Sequence, residues 1–198
     1  MELKGISKSF KAPVISELSA SFDRGFHVLF GLNGCGKTTL LKIISGRILP
    51  DKGEISADPK NVSSIFPNSC FYPQLTIRQN LEFFLTLRNK FLFEEEMKKI
   101  AEKIGADIKE LDKKTEIVSS GNLVKAGLIK MFIEDCDVFL IDEVLSSLDE
   151  SSFSKTMEML SEKSKYKTII LVSHQKDKYR LNNAVFWEMK EGKVFKYE

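Results

Sequence analysis

Residues 30–39 read "FGLNGCGKTT": three glycines within six positions, then a lysine and two threonines. From Gly31 to Thr38 the stretch fits G-x-x-x-x-G-K-[ST] without a mismatch. It also stands in the setting the pattern requires, between the apolar run "HVLF" (27–30) and the apolar helix pattern "KTTLLKIISG". Glycines let successive backbone N–H groups converge on phosphate oxygens, and the helix start behind them adds positive potential. Gly31, Leu32, Asn33, Gly34, Cys35, Gly36, Lys37, Thr38 and Thr39 are therefore read as a nucleotide phosphate loop. Lys37 is placed to reach the β- and γ-phosphates, and Thr38 to ligand Mg²⁺.

Two more apolar runs end in polar chemistry. "DVFLIDE" (137–143) reads as a strand closing on Asp142, where a carboxylate can hold Mg²⁺ through its water shell. Glu143 follows as a candidate general base on an attacking water. "KTIILVSH" (167–174) reads as a third strand, ending in His174. In open α/β sheets the carboxyl edge of parallel strands is where ligands bind. Gly31, Asp142 and His174 are thus expected on one edge, with His174 reaching a γ-phosphate. His27, ahead of the phosphate loop, is read as structural.

Between these runs the texture changes. "TIRQNLEFFLTLRN", "EEEMKKIAEKIG" and "GNLVKAGLIKMFIED" carry apolar residues at helical spacing, without a convincing strand among them. The expected organisation is one α/β domain: a core of about 1–75 and 135–198 with a mostly parallel sheet, and a helical subdomain of about 76–134. "DESSFSKTMEMLSEKS" reads as a helix of the core, "LPDKGEI" as turn chemistry, and "AVFWEMKEGKVFKYE" as a hairpin around Gly192.

Composition narrows the function classes. The 30 basic and 28 acidic side chains leave a net charge of +2, which does not suggest a nucleic-acid partner. No apolar run approaches the roughly 20 residues of a membrane-spanning helix, and "MELKGISKSF" does not read as a signal peptide. Cys35, Cys70 and Cys136 form no CxxC pair, so neither zinc nor a disulfide framework is expected, and a reducing cytosol is the simplest setting.

Taken together, the phosphate loop, "VSSGN" (118–122), "DVFLIDE", "LSSLD" (145–149) and "VSH" (172–174) resemble an ATP-binding cassette (ABC) ATPase, in order and over nearly the whole chain. The resemblance implies a P-loop core with N-terminal antiparallel strands, and Mg²⁺-dependent hydrolysis of ATP. It implies that Phe10, in "SKSF", stacks on adenine. It also implies that Ser119, Gly121 and Asn122, in the family signature, cap the ATP of a partner subunit, with Asp149 as the acid of the following loop. The expected pair is head-to-tail, a homodimer if the partner is identical. "IFPNS" aligns with the family's glutamine loop and puts Asn68 near Mg²⁺, with Gln74 as an alternative. Ser120, Asn122, Asn68 and Val144 depart from the usual pattern. Cys35 stands where a small residue is usual, either as plain steric fit or as a reactive thiol.

In the family the helical lobe receives coupling helices from a transporter's membrane subunits. Such a role implies a separate permease and a peripheral place on the cytoplasmic face of the membrane. Phe83, Leu87, Phe91, Leu92 and Phe93 exceed what one buried face needs, so they mark either a docking groove or a well-filled lobe. "LTIRQNLEFF" is similar to runs in exporter cassettes, which leans towards export. A soluble cassette for cofactor assembly or complex remodelling, and a catalytically weakened ATP-binding module, stand as alternatives.

Overall fold

A computed structural model describes residues 1–67, 71–174, 176–179 and 183–197. The chain forms two compact units, one from Met1–Ser64, Cys136–Glu143 and Lys163–Glu198, the other from Ile65–Asp135 and Val144–Glu162.

The first unit is built on two sheets. In the smaller, β1 (Glu2–Ser9) lies between β2 (Pro13–Ser21) and β4 (Lys52–Ile55), antiparallel to both. The larger has six strands in the order β5 (Val62–Ile65), β6 (Val138–Asp142), β7 (Thr168–Val172), β3 (Gly25–Phe30), β8 (Val185–Lys190), β9 (Lys193–Tyr197). β6, β7, β3 and β8 run parallel. Every residue of β6 and β7 is buried, as expected of parallel strands covered on both faces, and this is why they read as unbroken apolar runs. β8 and β9 form the hairpin around Gly192, its two turn residues Glu191 and Gly192 both left-handed at φ 51 and 73.

Register settles the placement of the three strand ends. Leu29 pairs with Val172, and Val172 with Asp142, so β3, β7 and β6 finish level. Their next residues leave from one edge of the sheet. Helix α1 (Lys37–Ile44) starts there and packs against β6 through a face that includes Leu40, Leu41, Ile43 and Ile44.

The second unit holds α2 (Ile77–Thr86), α3 (Glu94–Ile104), α4 (Ser120–Glu134) and most of α5 (Glu150–Ser164). Local signals set their ends. Thr76 and Gln79 form a reciprocal capping box before α2, three glutamates open α3, and left-handed Gly105 ends it. Ile77, Leu81 and Leu85 of α2, Met97, Ile100 and Ile104 of α3, and Leu128 and Met131 of α4 are buried. Glu134 is buried at the end of α4, where Arg88 Nε at 3.1 Å and Lys130 Nζ at 2.9 Å compensate its charge. The surplus apolar side chains noted in the sequence are not all consumed by this core: Phe83, Leu87, Phe91 and Phe93 are exposed. Among the described residues, no helix is long and apolar enough to cross a membrane.

Candidate functional site

At the level edge of β3, β7 and β6 a cavity of about 400 Å³ opens, lined by Phe10 and Val14, by Asn33, Gly34 and Gly36 of the glycine loop, by Lys37, Thr38 and Thr39, and by Glu143 and His174. A second cleft, about 560 Å³, lies among Asp23, Asp137 and Tyr166 at the amino ends of the strands. It touches "DVFLIDE" and "KTIILVSH" only at their amino ends, through Asp137, Val138 and Thr168, and none of the candidate site residues lines it, so its size does not make it the site.

The loop bends as its glycines allow. Gly31 has φ 151, and a Cβ there would stand 2.4 Å from the carbonyl oxygen of Met189, so no side chain fits. Lys37 opens α1 and is buried, its ammonium donating to the carbonyls of Gly31 at 2.9 Å and Leu32 at 3.0 Å. Thr38 Oγ1 donates to Asp142 Oδ2 at 2.8 Å. Asp142 is buried at the end of β6, and its other oxygen, Oδ1, has no hydrogen-bond partner among the described residues. Burial pushes this carboxyl above the usual carboxylate range; the bond from Thr38 opposes the shift and the charge of Glu143 adds to it. A buried acid with one oxygen satisfied by a hydroxyl and the other left over is a donor set suited to a hard cation such as Mg²⁺.

Glu143 follows with φ 56, a conformation few non-glycine residues adopt, and its N–H donates to the Val172 carbonyl at 3.1 Å. That turn holds Glu143 at the strand edge: its Oε1 accepts from His174 Nε2 at 2.7 Å and lies 4.0 Å from Lys37 Nζ. Acid, imidazole and ammonium thus converge on one cavity wall, at the ends of three adjacent strands.

Phe10 follows β1 at the cavity and is 60 % exposed. Val14 also lines the cavity and went unnoticed in the sequence, where an isolated valine in a strand carries no signal. Cys35 and Cys136 are free thiols, and Cys35 Sγ would lie 3.1 Å from a Cβ on Gly31. His27 is a packed side chain: Trp187 Nε1 donates to its Nδ1 at 3.1 Å, and its Nε2 meets the Asp23 carbonyl at 2.9 Å. Burial holds its pKa below the usual imidazole value, against the pull of Asp23.

The other sequence candidates belong to the second unit. Ser119 caps α4, accepting from the Asn122 N–H at 3.3 Å, and the Asn122 side chain donates to Glu110 at 3.0 Å. Gly121 is required by packing, because a Cβ would stand 2.7 Å from the Ser147 carbonyl oxygen. Asp149 caps the start of α5: Oδ1 accepts from Ser152 N at 2.9 Å, Oδ2 from Ser152 Oγ at 2.8 Å and from Lys125 Nζ at 3.0 Å. These bonds, the one from the Ser152 backbone foremost, hold its carboxyl far below the usual range. Lys125 also donates to the Gly105 carbonyl at 2.9 Å. Gln74 is exposed. Asn68 lies outside the described residues.

Comparisons with known proteins bear on the same chemistry. A family model described as ABC transporter matches residues 15–146. The aliphatic sulfonates import ATP-binding protein SsuB of Bacillus cereus is 30% identical over 99% of this chain and 84% of that protein. The spermidine/putrescine import ATP-binding protein PotA of Spiroplasma citri is 32% identical over 75% of this chain but only 46% of its own length. Thus the chain spans about half of that longer relative. Among solved structures, the dimeric ATP-binding cassette MJ0796 bound to ADP and Pi superposes with a TM-score of 0.87, covering 100% of this chain and 97% of that one at 21% identity, which speaks to the fold. With sequence kinship across almost its entire length and a cassette fold, the chain belongs to the ABC transporter family and is an ABC ATPase.

Proposed function

We propose that two of these chains close head-to-tail on ATP and Mg²⁺, and that their hydrolysis cycle drives a separate membrane permease. The observation that carries the reading is the convergence of Lys37, Thr38, Glu143 and His174 on a single cavity, with buried Asp142 hydrogen-bonded to Thr38. The glycine loop and Lys37 bind the triphosphate tail, and Thr38 and Asp142 hold the metal. Mg²⁺, when bound, would supply positive charge that offsets the charge of the phosphates. Glu143 takes the proton of the attacking water, His174 orients that carboxylate and contacts the γ-phosphate, and the products are ADP and phosphate.

The partner surface is Ser119 with the following amides at the exposed start of α4, where a helix N-terminus favours an anion. Closure on ATP and release after hydrolysis then form a ligand-driven population shift. The exposed Phe83, Leu87, Phe91 and Phe93 support the helical lobe as the permease-facing surface, which would keep the protein peripheral on the cytoplasmic face. The "LTIRQNLEFF" run leans towards export by resemblance, whereas the relatives SsuB and PotA both carry import names.

Glu143→Gln tests the split site. This variant should retain ATP and run as a dimer on a sizing column with Mg²⁺-ATP, while the wild type returns to monomer as it turns ATP over. A variant that stays monomeric at saturating ATP refutes the shared-site mechanism.

A further inference from the structure

Phe10, which the family resemblance assigns to adenine, is 60 % exposed just past the end of a strand, and so has too little packing to hold its ring's orientation by itself. What surrounds it is unusual. Asp51, from the "LPDKGEI" turn, is tied to three consecutive residues of β1. Its N–H donates to the Ser7 carbonyl at 2.8 Å, its Oδ1 accepts from Lys8 Nζ at 2.6 Å, and its Oδ2 accepts from the Ser9 N–H at 2.7 Å. Lys8 Nζ then lies over the Phe10 ring, 5.6 Å from its centroid. The Phe10 N–H donates to the Ala12 carbonyl at 3.1 Å, so the backbone on the far side is fixed too.

We infer that Lys8 and Asp51 are positioning residues for the base end of the nucleotide: the ammonium anchored by Asp51 covers one face of the Phe10 ring and presents the ring to a stacked purine. This rests on the reading of the cavity as the ATP site with Phe10 as its adenine platform, and adds the residues that hold that platform. Lys8 is poorly suited to a phosphate role of its own. Its side chain is only 16% exposed, and its charge is already matched at 2.6 Å by a carboxylate. The hydrogen bond from Lys8, seconded by that from Ser9, holds the Asp51 carboxyl below its ordinary range, as expected of an anchored ion pair. A cation over an aromatic face is attracted by the ring quadrupole, and a base stacks through the same π-system.

The test separates base from phosphate by titrating the full chain with Mg²⁺-ATP and, independently, with inorganic tripolyphosphate. Phe10→Ala should weaken ATP on the order of tenfold, the usual scale for losing one aromatic platform. Lys8→Met should weaken it by roughly threefold, a part of the same stacking. Asp51→Asn should shift ATP affinity in the same direction, and Lys8→Arg, which keeps a cation over the ring, should restore it. None of these variants should alter tripolyphosphate affinity, and Lys8→Met should add nothing in a Phe10→Ala background. In turnover, Lys8→Met should raise KM for ATP at unchanged kcat. Equal weakening of ATP and tripolyphosphate by Lys8→Met, full additivity with Phe10→Ala, or unchanged ATP affinity would each overturn the inference. Lys37→Ala is the control for the parent reading. If it leaves tripolyphosphate affinity intact, the phosphate site itself is wrong, whatever Lys8 does.

Discussion

Replacing Asp142 by Asn should make the nucleotide-free protein more stable and the ATP-loaded protein less so. In the folded chain Asp142 is buried, accepts one bond from Thr38 Oγ1, and leaves Oδ1 without a hydrogen-bond partner among the described residues. Leaving a buried polar group unsatisfied costs about 1–3 kcal/mol, and more when it is charged. Asn keeps the shape and can still accept from Thr38 while discarding the charge, so the gain without ligand should be about 1 kcal/mol, the unpaired amide absorbing the rest. With Mg²⁺-ATP the sign reverses. Wild type at a hundredfold excess over Kd should gain about 2.7 kcal/mol, and a variant lacking the metal-binding carboxylate should lose most of that increment. The assay is urea unfolding followed by the fluorescence of Trp187, the chain's one tryptophan, packed at 4.8 Å against Phe22 in the unit that also holds Asp142. An Asp142→Asn protein less stable than wild type without ligand, or equally stabilised by Mg²⁺-ATP, refutes the reasoning.

Two further perturbations test other parts of the molecule. Gly121→Ala forces a Cβ to within 2.7 Å of the Ser147 carbonyl oxygen; overpacking of this kind costs about 1–3 kcal/mol, so the melting temperature should drop and ATP-driven dimerisation of the Glu143→Gln protein should weaken. An unshifted melting curve would show that the contact relaxes freely. Acidification should unsettle His27, whose folded pKa is depressed by burial: stability is fully present above the unfolded value of about 6.5 and is lost as pH falls from there towards the folded pKa. Protonation of Nδ1 breaks the bond from Trp187, so the urea midpoint and Trp187 fluorescence should both change across that window. His27→Gln, which offers a donor and an acceptor without titrating, should flatten the profile; an equally steep one would locate the acid sensitivity elsewhere.

The parts of this site legible in the sequence are those encoded locally. Three glycines before a lysine admit one kind of loop, and β6 and β7 declare themselves because strands buried on both faces must be apolar throughout. From there a single rule about strand ends brought Gly31, Asp142 and His174 to one edge, where the register places them. What could not be read depends on pairings across long separations. Asp51 looked like a turn residue because its partners, Ser7, Lys8 and Ser9, are over forty positions away and its own neighbours, Pro50 and Gly53, are turn formers. Val14 gave no sign, since its place at the cavity follows from how β2 returns beside β1. Asp149 was legible only as a family position; its occupation as the cap of α5 and the partner of Lys125 required three helix ends to be known at once.

That meeting of helix ends has a mechanical consequence. Lys125 Nζ donates to the Gly105 carbonyl at 2.9 Å and to the Asp149 carboxylate at 3.0 Å, so the end of α3, the first turns of α4 and the start of α5 meet at one side chain. Tilting any one of the three loads the other two at that point. A shift of α3 would thus be felt first in the opening turns of α4, the helix that Ser119 caps.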